Sequence, residues 1–257
     1  MKQTLMLTEP TIQFRPTVSV LGVNVCTLNL EGTVGAIDKM LQGTKPCLVV
    51  TADASGFAQA KDDPELQEIY KMADLVTPDS QGVVWALKRL GHKGAVRVSG
   101  VDLVDEICSL SANKGYRIYI LGSAPGVAET AAERLRLRHP GCNIIGTRHG
   151  FFPAEDDELI AQEVGQLRPD VLFVAMGIPR QEKFIKRTLS LTGAKVSMGV
   201  GGSFDVFSGR TKRAPKFVQG MRLEWLWRLL LNPKKFHKVK MLPKFVSLVL
   251  RERKPEA

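Results

Sequence analysis

Tyr116-Arg117-Ile118-Tyr119-Ile120-Leu121-Gly122 is an apolar β run that empties into Ser123-Ala124-Pro125-Gly126. In residues 127–138, which follow, Val, Ala and Leu recur at helical spacing. A strand this apolar, with little polar alternation, is buried on both faces, and such strands belong to parallel sheets covered by helices. The same grammar recurs on either side. Residues 18–25, 47–52, 74–77, 143–146, 171–176 and 196–200 read as further strand runs. Residues 81–90 and 180–191 read as helices that follow them. Alternating β and α segments predict an α/β fold: a Rossmann-like, mostly parallel sheet with helices on both faces.

The charge is uneven along the chain. The 257 residues carry +10 overall. From Arg210 onward there are 14 Lys and Arg against three Glu, a balance of +11, which leaves the first 209 residues at −1. This predicts a near-neutral α/β catalytic domain over 18–208, an N-terminal extension over 1–17, and a basic helical C-terminal appendage over 209–257. Asn232-Pro233 and Pro243 are expected to break the appendage into two or three helices. Hydrophobic residues at 44% and charged residues at 24% exclude wholesale disorder. No run approaches the roughly 18–20 apolar residues of a membrane span, and residues 1–16 lack the apolar core of a signal peptide. Cys26, Cys47, Cys108 and Cys142 form no CxxC pair, and reduced, mostly buried thiols are expected.

In open parallel sheets ligands bind outside the carboxyl ends of the strands. Six exits carry glycine, small hydroxyl or charged residues: Thr51 to Ser55, Thr77 to Gly82, Gly122 to Gly126, Thr147 to Gly150, Met176 to Lys183, and Gly201 to Asp205. Gly122-Ser123-Ala124-Pro125-Gly126 enters a helix, whose N–H groups and dipole suit a diphosphate; it also reads as an ordinary βα turn. It is not GxGxxG, and no Walker A sequence occurs, so NAD-type and P-loop chemistry are disfavoured. Asp79 reads either as a helix N-cap or as a general base for a sugar hydroxyl. Asp53 and Asp205 are rival carboxylates, the first for donor hydroxyls and the second for capping a turn. No metal site is expected: no Asp-x-Asp occurs, and His92, His139, His149 and His237 do not cluster.

These segments, taken in order over residues 18–240, resemble the WecG/TagA/CpsF glycosyltransferase family (glycosyltransferase family 26). The resemblance rests on Thr51-Ala52-Asp53, Thr77-Pro78-Asp79-Ser80-Gln81-Gly82-Val83-Val84-Trp85, Arg97-Val98-Ser99-Gly100-Val101-Asp102-Leu103 and Leu121-Gly122-Ser123. It continues through Gly150-Phe151-Phe152, Pro169-Asp170-Val171, Gly177-Ile178-Pro179-Arg180-Gln181-Glu182, residues 199–207, Arg213-Ala214-Pro215 and Leu223-Glu224-Trp225-Leu226-Trp227-Arg228.

The resemblance implies an inverting, metal-independent transferase without cofactor. Such an enzyme moves a sugar (N-acetylmannosamine, another HexNAc or a hexose) from a UDP-sugar to a polyprenyl-diphosphate-linked sugar. Members build cell-surface polysaccharide or teichoic acid at the inner face of the plasma membrane. The resemblance places the base on Asp79, further catalytic-site residues on Thr51, Asp53, Arg97 and Gln181, and basic appendage residues on Arg228, Lys235 and Lys238. Gly122, Ser123, Met176 and Gly177 would hold UDP. Asp53 stands where several members have Asn, Ser80 where Gly usually follows the Asp, and Lys235 and Lys238 where better studied members have Arg.

The appendage interleaves Trp, Phe and Leu with Lys and Arg, which suits a peripheral helix on an anionic membrane surface; the alternative is that its apolar faces pack as ordinary core. Homo-oligomers are compatible with all of this, and no nucleic-acid partner is expected. The rival function from another class is a nucleic-acid-binding module using the basic tail; within enzymes the rival is a nucleotide-sugar transferase with a different acceptor. Tail aromatics at helical spacing, not on a strand platform, disfavour nucleic acid.

Overall fold

The computed structural model describes residues 16–212, 215, 227 and 236–252. It opens with β1 (Thr17–Val20) and β2 (Val23–Cys26), an antiparallel hairpin. The sequence pattern predicts one strand over 18–25, and here the fold differs. Leu21 and Gly22 both take positive φ, 51° and 79°. This two-residue turn reverses the chain and keeps both strands out of the main sheet.

The remaining elements follow the predicted alternation. They are α1 (Leu30–Gln42), β3 (Cys47–Ala52), α2 (Ala54–Ala60), α3 (Pro64–Met72), β4 (Leu75–Pro78), α4 (Gln81–Arg89), α5 (Gly100–Lys114) and β5 (Ile118–Gly122). Next come α6 (Val127–Arg138), β6 (Ile144–Arg148), a 3-10 turn at Ala154–Asp156, α7 (Asp157–Gln166), β7 (Val171–Ala175), α8 (Arg180–Thr188), β8 (Val196–Gly199) and α9 (Ser203–Phe207). A helix at Phe236–Arg251, α10, closes the series of described elements. Asn29, Asp53, Asp63, Ser80 and Ser99 each accept a backbone N–H in the first turn of the helix they precede, which accounts for where α1 to α5 begin.

Six strands form a parallel sheet in the order β4-β3-β8-β7-β5-β6. Every residue of β3, β5 and β7 is buried, as their apolar runs require. Alternate strand residues feed two cores. Leu48, Val50, Leu121 and Val174 pack with residues of α2, α3, α4, α7, α8 and α10. Val49, Ile120, Phe173 and Met198 pack with residues of α1, α5, α6 and α9. The chain leaves β5 toward β6 on one side and leaves β7 toward β8 on the other. The sheet therefore has its topological switch between β5 and β7, the place outside the strand ends where open α/β sheets bind ligands.

The appendage is only partly separate from this body. Phe245 and Val249 of α10 are fully buried in the first core, and the Phe245 ring packs 5.9 Å from Phe57 of α2. At its far end Arg89 of α4 donates to the carbonyl oxygens of Val249 and Leu250, and Glu252 accepts the Leu21 N–H at 2.8 Å. Pro243 lies inside α10 and does not end it. Its ring is on the exposed side, and anchorage of the following turns in the core offsets a helix cost of about 3 kcal/mol. Among the described residues no helix is long and apolar enough to cross a membrane. All four cysteines are free and buried.

Candidate active site

The predicted residues converge on the carboxyl rim of the sheet. Asp79 follows β4. Its N–H donates to the Ala52 carbonyl at 3.0 Å, which ties the β4 exit to the β3 exit. Its Oδ1 accepts the Gly100 N–H at 3.2 Å. The Arg97 Nε donates to the Asp79 carbonyl at 2.5 Å, and the guanidinium lies 3.7 Å from Oδ1. The Asp79 side chain remains 25% exposed, so a proton donor from solvent or substrate can reach it.

Capping falls to the neighbour. Ser80, not Asp79, is the N-cap of α4, with its Oγ accepting the Val83 N–H. The chain stays extended through Asp79 because β4 runs to Pro78, and only the next residue enters the helix geometry. The N-cap of α4 is thereby excluded for Asp79, whose carboxylate instead accepts the first N–H of α5.

A contiguous chain of contacts runs from Asp79 across the rim. A Cβ on Gly100 would sit 3.4 Å from both Thr51 Oγ1 and Ser203 Oγ. The Thr51 hydroxyl donates to the Gly199 carbonyl at 2.7 Å. A Cβ on Gly199 would sit 2.7 Å from Gln181 Nε2, so glycine is required for that approach. The Gln181 Oε1 accepts the Gly177 N–H at 3.1 Å and the Gly201 N–H at 3.0 Å, joining the β7 and β8 exits. Gln181 itself is 1% exposed. It holds two loops in place beneath the rim, whereas the resemblance places it only among the catalytic-site residues.

Asp53 is the N-cap of α2. Its Oδ1 accepts the Ser55 hydroxyl at 2.6 Å and the Gly56 N–H at 2.7 Å. Ser80 Oγ accepts the Ala54 N–H at 3.0 Å, which draws the Asp53 loop beside the Asp79 loop. Asp205 lies within α9, with Gly202 at the cap position, and its carbonyl accepts the Thr211 N–H.

At the switch point, Ser123 donates its N–H to the Ala175 carbonyl at 2.7 Å. Gly122 has φ 130°, and a Cβ there would collide with the backbone of Ala175. Ser123 follows at φ 61° and Gly177 at φ 80°. The exits of β5 and β7 thus touch, with Met176 and Gly177 opposite Gly122 and Ser123. Past Ser123 the α6 N-terminus receives no side-chain cap, and Pro125 and Gly126 are exposed, an arrangement suited to a diphosphate.

The exit of β6 packs against these two, and the sequence pattern alone passes over its main feature. A Cβ on Gly150 would lie 2.9 Å from Gly122 Cα and 3.2 Å from Met176 Cγ. Phe152 beside it is clamped: the Arg180 guanidinium stands 5.4 Å over its ring and pairs through both arms with the buried carboxylate of Asp157. Arg187 adds a second ion pair to Asp157 at 3.0 Å. Phe151, just past the β6 exit, is left 70% exposed. In the sequence it is marked only as part of the Gly150-Phe151-Phe152 segment of the resemblance, with no role attached.

Arg228 and Lys235 lie outside the described residues. Lys238 lies on the α10 backbone, and its side chain is outside the described set. Among the described residues no group of three or more His, Cys, Asp or Glu is arranged to hold a metal ion.

The model of the Glycosyl transferase WecG/TagA/CpsF family matches residues 18–257. Among curated relatives, the N-acetylglucosaminyldiphosphoundecaprenol N-acetyl-beta-D-mannosaminyltransferase of Bacillus spizizenii is 35% identical over 217 residues, covering 84% of each chain. The protein of the same name from Bacillus subtilis strain 168 is 34% identical over 77% of this chain and 76% of its own. That from Staphylococcus aureus strain MRSA252 is 30% identical over 92% of this chain and 93% of its own. With the family model spanning nearly all of the sheet and its rim, this chain belongs to the WecG/TagA/CpsF family of glycosyltransferases.

Proposed function

We propose that the protein transfers an N-acetylhexosamine, N-acetylmannosamine first among the candidates, from a UDP-sugar to a polyprenyl-diphosphate-linked N-acetylglucosamine. The observation that supports this reading is the series of close approaches and hydrogen bonds that link the strand exits from Asp79 past Gly100, Thr51, Gly199 and Gln181 to the Gly177 loop. It links a carboxylate to the β5 and β7 exits, the place where the topological rule puts a nucleotide. The named activity of the relatives suggests the donor sugar and the lipid-linked acceptor.

In this reading UDP lies across Gly122, Ser123, Met176 and Gly177, with its diphosphate near the α6 N-terminus and its base against Phe151. The acceptor hydroxyl attacks the anomeric carbon, and Asp79 takes the hydroxyl proton. The bond from that carbon to the phosphate oxygen breaks, and UDP leaves with the electron pair. One displacement inverts the anomeric centre. Arg97 and the basic residues of the appendage, Arg228, Lys235 and Lys238 among them, offset the charge that develops on the diphosphate, so no metal is needed. Half-exposed Leu250 and exposed Val246, on the side of α10 that also carries Lys240, support contact of the appendage with an anionic bilayer. The site would then work at the cytoplasmic face, where UDP-sugars meet the lipid-linked acceptor.

The test is UDP release from a panel of UDP-sugars with a polyprenyl-diphosphate N-acetylglucosamine acceptor in anionic vesicles, with and without EDTA. The expected result is turnover with UDP-N-acetylmannosamine, unchanged by EDTA, giving a product of inverted anomeric configuration by NMR. Turnover only after magnesium or manganese is restored, or retention of configuration, overturns the mechanism.

A further inference from the structure

Gln181 can bridge two strand exits only if its amide is held one way round, and the residue that holds it is next in the chain. Its Oε1 accepts two backbone N–H groups, from Gly177 and Gly201. Only the oxygen of an amide can accept, so the orientation is assigned by these bonds alone. That forces Nε2 to the other side, where Glu182 Oε1 accepts it at 2.8 Å. Glu182 is 1% exposed and stands in the first turn of α8, where a carboxylate is favoured by the helix dipole. The Tyr70 hydroxyl, fully buried and without a hydrogen-bond partner, lies near it. Burial, then the charges of Glu182 and Asp53, pushes the Tyr70 phenol well above its ordinary range. Glu182 is thus buried under the rim, with its Oε1 held against the Gln181 amide.

We propose that Glu182 is a positioning residue for the donor: its carboxylate fixes the Gln181 amide, and through it the Gly177 and Gly201 loops that face the nucleotide crevice. Without that acceptor the Gln181 NH2 is left unpaired in the interior, and the amide gains a reason to turn over. Turning it over would aim NH2 at the two backbone N–H groups and release both loops.

The proposal rests on the reading of the crevice as the UDP site, and the experiment separates the two. In the full chain, UDP affinity is measured by calorimetry and exchange of the Gly177 and Gly201 amides by NMR. Glu182→Leu is expected to weaken UDP binding about tenfold and to speed both amides by a similar factor. Glu182→Gln, which keeps an acceptor oxygen, is expected to recover most of both. If wild-type protein does not bind UDP, the crevice reading fails while amide exchange still decides the role of Glu182. Should Glu182→Leu not fold, a swap decides. Gln181→Glu keeps the acceptor for both loops but loses the donor to Glu182. Gln181→Glu combined with Glu182→Gln rebuilds the bond with reversed polarity, and should recover affinity and protection that Gln181→Glu alone loses. Wild-type exchange in Glu182→Leu, or a swap no better than Gln181→Glu, overturns the proposal.

Discussion

Arg97 grips Asp79 at two points: its Nε holds the Asp79 main-chain oxygen at 2.5 Å, and its terminal nitrogen stands 3.7 Å from the carboxylate. The fork of a guanidinium can serve both; a single ammonium cannot. Arg97→Lys should therefore lose one charge-assisted bond and lower kcat by about 10- to 100-fold, with a smaller effect on donor KM. Steady-state kinetics against the UDP-sugar check this split.

Asp79→Asn removes the proton acceptor but keeps an oxygen for the Gly100 N–H. The variant should fold with an unchanged melting temperature and bind UDP as the parent does. Its turnover should fall by about 100- to 10,000-fold, the usual weight of a general base. Calorimetric UDP binding together with a UDP-release assay tests both halves. Retained turnover would remove Asp79 from the chemistry.

Gly122 and Gly126 both have positive φ, 130° and 80°, but only Gly122 is pressed against backbone. Gly122→Ala should cost about 2–4 kcal/mol of stability, because the β5 and β7 exits must part. Gly126→Ala has open space around it and should cost about 1–2 kcal/mol from backbone strain alone. Urea unfolding of the pair distinguishes collision from strain.

Phe151 is mostly exposed, so its removal should leave stability within about 0.5 kcal/mol. If its ring carries the nucleotide base, Phe151→Ala should weaken UDP binding by about 10- to 100-fold, in the range of base–aromatic stacking. A titration of each protein with UDP and with ribose 5-phosphate separates base contacts from phosphate contacts: only the UDP affinity should change.

Phe245→Ala tests whether α10 is core. The ring is fully buried between Phe57 and the α4 helix, where Gly82 leaves room for it. Stability should fall by about 3–5 kcal/mol, as for a large side chain removed from a packed interior. A loss near zero by denaturant unfolding would mean that α10 only rests on the surface.

The main sheet was legible because burial on both faces writes itself into the sequence as uninterrupted apolar runs, as in residues 116–122 and 171–176. The rim followed from the topological rule, and Thr51, Asp53, Asp79, Gly122, Ser123, Met176 and Gly177 stand at strand exits; Arg97 came only from the resemblance, and Gln181 lies buried beneath them. What escaped depends on single torsions or on distant packing. Leu21 carries no signal for its positive φ, so the hairpin reads as one strand. Pro243 reads as a break, since nothing local shows that Phe245 and Val249 will be anchored 0% exposed in the core. Asp79 and Ser80 are both capable caps, and one residue of strand length decides between them. The burial of Gln181 was equally hidden, because its partners Gly177 and Gly201 lie on separate strand exits.

The packing of α10 on α2 also has a bearing on biosynthesis. Lys244 of α10 and Asp62, in the turn just after α2, form an ion pair and stand 182 positions apart in the chain. A nascent polypeptide emerging from the ribosome holds Phe57 and its neighbours uncovered until residues 236–252 have been translated and released. During that interval the greasy flank is a target for chaperones and for aggregation, and the sheet, though already paired, cannot be sealed on that side.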